Sequence, residues 1–433
     1  MRRRSLSQSP GRVFYGWWIV AVGCVQDAVK GGLFNTGFTL YFLPVLTELH
    51  LSRAATSLPF SLSRLEAALG APLVGYLIDR LDVRVMLVAG TLLAGLGLVL
   101  LSLTHSYLLF VLVFVGPLSF GFQAGFNQAT LAVVAHWFRR KRGLAMAIVQ
   151  TGQAIGGVVI FPLLALAVLK LGWRTAAVLS GLAVLALLPL VLFIRRSPES
   201  MGLLPDGEGP RRSSGSGPAA PLDDAREFTT REALRTPTFW LLAAFHGLRN
   251  VPYAGVTVHL MPLLVWKGLD EAGAAFFVGL TALATVVIRP LTGWLGDRRS
   301  KQAVGAAGVL LGAAGLALLA YGNGAWWALA LFAILFSFGD GVNSVTWALV
   351  GDAFGRAHFA TIRGWISMFQ SFASMPAAVY TGWIYDRTQS YTQALVAFVI
   401  CYSAAAVVLW LMPHPSRPVR REVATGRALG VSS

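Results

Sequence analysis

The sequence predicts an all-α membrane protein with twelve spanning helices arranged as two pseudo-symmetric six-helix bundles. Three observations carry that expectation: a charge-poor composition, twelve long apolar runs, and a motif that recurs once in each half. Of the 433 residues, 56% are hydrophobic and 12% are charged, against about 25% charged in soluble chains. So little charge excludes an ordinary soluble enzyme, and so much apolar content excludes a disordered chain. A spanning helix needs about 20 mostly apolar residues. Such runs occupy 14–46, 54–78, 85–104, 107–137, 144–169, 175–194, 238–264, 271–296, 302–321, 326–353, 362–384 and 391–412. The first, fourth and tenth exceed one span, and tilt or a turn outside the membrane absorbs the excess. The basic start, Met1-Arg2-Arg3-Arg4, precedes a run too long for a signal peptide, and no small-residue cleavage site follows. That run is expected to remain as the first membrane helix.

The composition changes between the sixth and seventh runs. Residues 195–236 include Ser213-Ser214-Gly215-Ser216-Gly217-Pro218 and read as a mobile cytoplasmic linker. The expected division is therefore 1–194 for the first bundle, 195–236 for the central loop, 237–412 for the second bundle and 413–433 for a cytoplasmic tail. The net charge of +16 is explained by basic residues in cytoplasmic loops rather than by nucleic acid. With both termini inside, inner segments hold 26 Lys and Arg and outer loops hold 5. That bias places both termini in the cytoplasm. The inner count includes Arg139 to Arg142, Arg356 and Arg363. Cys24 and Cys401 lie in apolar runs with no metal or disulfide spacing, and read as core packing.

The halves repeat. Gly75-Tyr76-Leu77-Ile78-Asp79-Arg80 closes the second run, and Gly293-Trp294-Leu295-Gly296-Asp297-Arg298 closes the eighth. Glycine lets a neighbouring helix come close. The Asp can face a helix N-terminus, where the dipole favours negative charge. The Arg can anchor at the headgroups. Two copies at equivalent positions indicate parallel six-helix repeats, a design used by membrane transporters.

Further stretches carry a resemblance. They are Gly16-Trp17-Trp18, Arg64-Leu65-Glu66, the run from Trp137 through Phe138 and Arg139-Arg140-Lys141-Arg142 to Gly143, Ser197-Pro198-Glu199-Ser200-Met201-Gly202-Leu203, His259-Leu260-Met261-Pro262, and the run from Phe354 to Gly364. With the repeated motif they make the chain resemble a major facilitator superfamily transporter over nearly its whole length. Within that superfamily it is most similar to the monocarboxylate-porter and oxalate/formate-exchanger group. The resemblance implies a secondary transporter, not an enzyme, that moves a small organic anion, a monocarboxylate, by alternating access. A proton or a counter-anion would drive it from within a bacterial-type inner membrane. The expected partners are the substrate, the coupling ion and the lipid bilayer, with no nucleic acid, and the protein is expected to be a monomer. The alternatives are transport of a neutral or cationic solute and a non-transporting membrane sensor.

Charges inside spanning helices are costly and mark functional candidates. Arg289 lies eight residues from Asp297, about 12 Å along the eighth helix. Its guanidinium can bind a carboxylate bidentately, and relatives in the resembling group bind their anion with an Arg in this helix. The alternative is a buried pair with Asp340 or Asp27. In the seventh helix, His246, Arg249 and Tyr253 recur at helical spacing and share a face, with Asn250 beside them. Pro252 removes a backbone hydrogen bond, which predicts a broken, gating seventh helix. His259 stands where the resembling group has a His on the substrate path. Many relatives carry an acid seven positions later, and here that position is Trp266. Coupling or gating is therefore assigned to Asp340, Asp27, Lys30, Arg64, Glu66 and His246. Asp27 and Lys30 can pair at i, i+3, whereas Arg64 and Glu66, two apart, point to opposite sides. Gln123 and Asn127 share a face of the fourth helix and supply uncharged donors for a substrate hydroxyl or keto group, and Asn343, a further substrate-binding candidate, shares a face of the tenth helix with Asp340. Alternatively, they hydrogen-bond between helices. Gly152, Gly156 and Gly157 form a small-residue seam. Between Gly364 and Ile384 there is no Lys where oxalate-exchanging relatives use one, which disfavours a dianionic substrate. Phosphate loops, metal-ligand clusters and nucleophile elbows are absent from the sequence, so no catalytic residue, metal or cofactor is expected, and transport must draw on a gradient.

Overall fold

Local signals set the helix ends. Asp82, Ser106, Thr236, Asp270 and Ser300 each precede a first helical turn and accept a hydrogen bond from one of its free backbone N–H groups. Gly172 and Gly355, with φ of 79° and 86°, close two helices in a left-handed conformation that suits glycine. The computed structural model describes residues 14–51, 53–207 and 228–413. No strand occurs among them.

Twelve long helical segments follow in chain order: α1 (15–48), α2 (Arg53–Arg80), α3 (Val83–Ser102), α4 (Tyr107–Trp137), α5 (Arg142–Leu171), α6 (Trp173–Leu192), α7 (Pro237–Trp266), α8 (Glu271–Arg298), α9 (Lys301–Tyr321), α10 (Trp326–Phe354), α11 (359–388) and α12 (Thr392–Trp410). Eight of these (α3 to α6, α8 to α10 and α12) are long and apolar enough to cross a membrane. The other four are diluted by the polar residues singled out above. Asp27 and Lys30 lie in α1, Arg64 and Glu66 in α2, His246 and Arg249 in α7, and Arg363 in α11.

Helix interruptions differ from expectation. α7 runs unbroken through Pro252 and Pro262, so the predicted break in the seventh helix is not present. A proline removes one hydrogen bond, and tight packing against α11 and α12 holds the helix through that loss. The irregular backbone lies elsewhere. α1 passes through a π-turn at Gly31–Asn35, and α4 contains two, Phe114–Ser119 and Gln123–Gln128. Phe34 of the first stacks on Phe114 and Phe122 of α4 at 5.7 and 5.1 Å. α11 is divided at Met375-Pro376 into Phe359–Ser374 and Ala377–Thr388.

Within the N-terminal set, α1 packs on α5 and α3 on α6. In the C-terminal set, α7 packs on α11 and α12, and α9 on α10 and α12. The sets meet through α2 against α11 and α5 against α8. Gly152 and Gly156 let α5 touch the backbone of α1 at Cys24 and Ala28, whereas Gly157 faces open space, so the seam is made by two of the three glycines. Cys24 and Cys401 are unpaired and only partly buried.

The repeated motif forms a latch at one end of the bundle. Asp79 accepts hydrogen bonds from the backbone N–H groups of Ala360 and Thr361 at 3.2 and 2.7 Å and from the Thr361 hydroxyl at 2.5 Å. It thereby caps the N-terminus of α11. Asp297 accepts from the N–H groups of Gly143 and Leu144, both at 2.8 Å, and caps α5 in the same way. Gly75 lies against the carbonyl of Ala360, and Gly293 against the carbonyl of Gly143, so a Cβ at either would strike backbone. Arg80 and Arg298 stack on Tyr76 and Trp294, one turn back, at 5.1 and 4.1 Å.

Two assignments are corrected at this end. Arg142 is not a loop cation. It is a buried helix residue paired with Asp352 at 2.8 Å, and Lys301 holds the other oxygen of that carboxylate at 2.8 Å. The central segment is also ordered at both ends. Asp206 accepts from the N–H groups of Arg139, Arg140 and Lys141, and a capping box between Thr229 and Glu232 opens a short helix, Thr230–Leu234. The serine-glycine stretch 213–218, the basic start at 2–4 and the tail from 414 lie outside the described residues.

Removing one cap should loosen the latch. An N-cap carboxylate contributes about 1–2 kcal/mol. With Cys24 and Cys401 replaced by alanine, a cysteine at the buried Ala360 should be alkylated roughly 5–30-fold faster in Asp79→Ala. Unchanged alkylation would show that Asp79 does not hold the two sets together.

Candidate functional site

Three buried charges meet where α7, α8 and α10 come together. Arg289 of α8 and Asp340 of α10 are 7% and 4% exposed. The Arg289 Nε and Nη2 both donate to Asp340 Oδ2, at 2.9 and 2.6 Å. Its remaining Nη1 donates to the backbone carbonyl of Gln150 in α5, at 2.5 Å. Arg249 of α7 approaches the other face of the carboxylate, with Nη1 3.8 Å from Asp340 Oδ1, and donates to the carbonyl of Gly339 at 3.3 Å. One carboxylate therefore stands between two guanidinium groups. An unpaired buried charge costs several kcal/mol, and Asp340 offsets that cost for the two cations in this arrangement. Of the two readings open for Arg289, the described arrangement is the ion pair with Asp340. Tyr253 lies within electrostatic range of all three charges.

A second polar group faces it from the N-terminal set. Asp27 of α1 is 2% exposed, lies within electrostatic range of Lys30, Arg289 and Arg363, and leaves Oδ2 without a hydrogen-bond partner. Glu66 of α2 accepts from the Ser119 hydroxyl at 2.9 Å, at the end of the first π-turn of α4. Arg64 lies within electrostatic range of Tyr253, so Arg64 and Glu66 do part to different neighbours.

Other candidates have structural partners. Asn127 accepts from Arg363 Nη2 at 2.7 Å and is not a free substrate group in this arrangement. Gln123 begins the second π-turn and is half-buried. His259 bonds through Nε2 to the carbonyl of Ala378 at 3.0 Å, tying α7 to α11. His246 stacks on Trp347 at 4.0 Å, and neither ring nitrogen has a partner.

Three contributors escaped the sequence reading. Arg363, counted as a cytoplasmic loop cation, is 5% exposed inside α11. It stacks 4.7 Å over Trp347 and leaves Nε and Nη1 unbonded. Trp347 itself links His246 and Arg363. Gln150 reaches from α5 across to Arg289 and accepts from Asn343 Nδ2 at 2.7 Å through Oε1. Arg363 sits at the margin of an apolar run, where charge patterning reads as a loop. Gln150 is a lone amide in an apolar helix, with no local signal of its cross-bundle partners.

The arrangement can bind an anion. Three cations (Arg249, Arg289 and Arg363) and two carboxylates (Asp27 and Asp340) are buried in this interior, with Lys30 and Glu66 half-buried beside them and Arg64 exposed. Buried donors remain unbonded on Arg249, Arg363 and Gln150. A model of the Major Facilitator Superfamily matches residues 31–378. Over 406 residues the chain is 25% identical to monocarboxylate transporter 12 of Xenopus laevis, covering 91% of this chain and 88% of that one. It is also 25% identical over 439 residues to the oxalate:formate antiporter of Oxalobacter formigenes, covering 98% of each. The fold is similar to that of the major facilitator transporter FucP in its outward conformation, with a TM-score of 0.69 at 16% identity over 92% of this chain and 99% of that one. With an interior rich in buried charge, the repeated Asp latch and a family match over most of its length, this multi-pass membrane protein belongs to the major facilitator superfamily of transporters.

Proposed function

We propose that the protein spans the membrane twelve times with both termini in the cytoplasm, and carries a small monocarboxylate by alternating access. The two six-helix bundles, 1–194 and 237–412, rock about the charged centre, and the Asp79 and Asp297 latches close its cytoplasmic end. The single observation that carries the substrate class is the pair of buried guanidinium groups, Arg289 and Arg249, that share one carboxylate, Asp340. Relatives named as monocarboxylate transporters and an oxalate:formate antiporter support the same class.

The geometry suggests how a proton would be coupled. Asp340 occupies the donor fork of Arg289. A proton on Asp340 cancels its charge and releases that fork. A substrate carboxylate then takes the place of Asp340 on Arg289, with Arg249 close by. One negative charge replaces another, so the centre keeps its net charge while one proton and one anion move together. Asp27, Lys30, Glu66, His246 and Arg64 line the approach and set its electrostatic balance. Tyr253, His259, Gln123, Asn127 and Asn343 shape the rest of the site.

Topology is tested by reporter fusions after Arg196 and at the C-terminus, both of which should read as internal. An external reading at either would break the twelve-span arrangement.

Asp340→Asn tests coupling in proteoliposomes. The amide leaves Arg289 without an anionic partner at any pH. Uptake driven by a pH gradient should be lost, while exchange of internal for external carboxylate persists. Full pH-driven uptake in this variant would exclude Asp340 as the proton site. Persistent exchange with no gradient-driven uptake in the wild type would make the protein an exchanger.

Arg289→Lys keeps the charge but not the fork. Carboxylate affinity should fall about 30-fold or more. If Arg289 serves only to neutralise Asp340, the variant should instead lower the melting temperature of the empty protein and leave affinity intact.

A further inference from the structure

A groove opens in the C-terminal set where α11 divides. It is lined by Val251 of α7, by Pro376 and Ala377 at the break in α11, and by Ala397, Phe398 and Cys401 of α12. It holds about 240 Å³, and its walls present no polar surface. Pro376 has no N–H to continue the helical ladder, and the two halves of α11, Phe359–Ser374 and Ala377–Thr388, part there. An apolar cavity of about 150 Å³ stays dry and takes an apolar guest. This one is larger and open along one side.

Depth identifies what faces it. Val251 is the fifteenth of 30 residues in α7, and Cys401 the tenth of 19 in α12. In the twelve-span arrangement, on which this inference rests, the middle of a helix lies about 15 Å from either headgroup region, half of a hydrocarbon core about 30 Å thick. Met375, Val379 and Ile400, next to the lining residues in sequence, are 67%, 75% and 63% exposed. The groove is therefore continuous with the lipid-facing surface, at a depth where the bilayer offers only hydrocarbon.

We infer that the groove is a binding site for one acyl tail of a membrane phospholipid, set against the break in α11. The tail fills the space that the break opens and makes the contacts that an empty groove forfeits. Headgroup chemistry plays no part, because the lining is apolar throughout. The site also adjoins the charged centre. Along one turn of α7, Arg249 faces Asp340, Asn250 donates to Ser374 at 2.9 Å at the edge of the break, and Val251 lines the groove. An occupied groove braces the stretch of α7 that carries Arg249.

The test is photolabelling of the full chain in liposomes of palmitoyl-oleoyl phosphatidylglycerol and phosphatidylethanolamine. Two probes are added in trace amounts, both phosphatidylcholines: one carries a diazirine at the end of an acyl tail, the other beside the glycerol. Leu283 of α8, 61% exposed and near mid-helix, reports ordinary lipid contact. The tail-end probe should label the segments around Ala377 and Ala397 roughly fivefold more than the segment around Leu283. The glycerol-side probe should label none of them. Ala397→Trp, which fills the groove, should reduce groove labelling to the Leu283 level and leave Leu283 unchanged; Ala397→Leu serves if the tryptophan variant does not fold. Equal labelling of groove and Leu283 in the wild type would make this ordinary lipid contact and overturn the inference. Undiminished groove labelling in a folded, filled variant would overturn it too. Absence of tail-end label from groove and Leu283 alike would remove the spanning arrangement itself, and the inference with it.

Discussion

A single carboxylate, Asp340, makes the charged interior of this protein possible. Arg289 and Arg249 are both buried almost completely, and each would be prohibitive alone in a low-dielectric bundle. Asp340 holds Arg289 through two hydrogen bonds to the same oxygen and lies 3.8 Å from Arg249, so one negative charge is shared between two positive ones. The arrangement is stable yet incomplete: Arg249 Nε has no hydrogen-bond partner. An anion of the right size can therefore enter this group by exchange of one carboxylate for another, with little change in the electrostatic balance.

α5 connects that exchange to the rest of the fold. Its first turn donates to Asp297, and its first residue, Arg142, pairs with Asp352 of α10. About two turns on, Gln150 bonds Arg289 and Asn343. Beyond that, Gly152 and Gly156 rest on the backbone of α1. The span from Gly143 to Gln150 is only about 10 Å along the helix, so the latch and the ion pair hold neighbouring parts of one rigid element. In the proposed exchange, Arg289, which also bonds the Gln150 carbonyl, would pass its displacement to the helix whose first turn meets Asp297, with no contact between substrate and latch.

The fold was legible in the sequence because its signals are local and repeated. Run length and the paired Gly-x-x-x-Asp-Arg motifs anticipated the helices, and the dipole argument anticipated that Asp79 and Asp297 face helix N-termini, though not which ones. The site was legible only in part. Arg289, Arg249 and Asp340 stand out because charge in an apolar run is conspicuous, but their mutual pairing depends on three helices far apart in the chain. Arg363 was misplaced because it lies one turn inside a helix whose sequence margin looks like a loop. Gln150 carried no sequence signal, since a single amide gains meaning only from what crosses the interface to meet it. Pro252 misled in the opposite direction. A proline breaks an isolated helix, yet packing on α11 and α12 carries α7 straight through, while the irregularities fall at Gly31–Asn35, in α4 and at Met375-Pro376 of α11.

The central claim is that a substrate carboxylate displaces Asp340 from Arg289 and that Asp340 leaves as the protonated acid. The most direct measurement is the number of protons taken up on binding. Calorimetry of carboxylate binding to the purified protein at neutral pH, repeated in buffers of different ionisation enthalpy, gives that number. About one proton should be absorbed per carboxylate bound, and none in Asp340→Asn. Carboxylate binding with no proton uptake in the wild-type protein would contradict it.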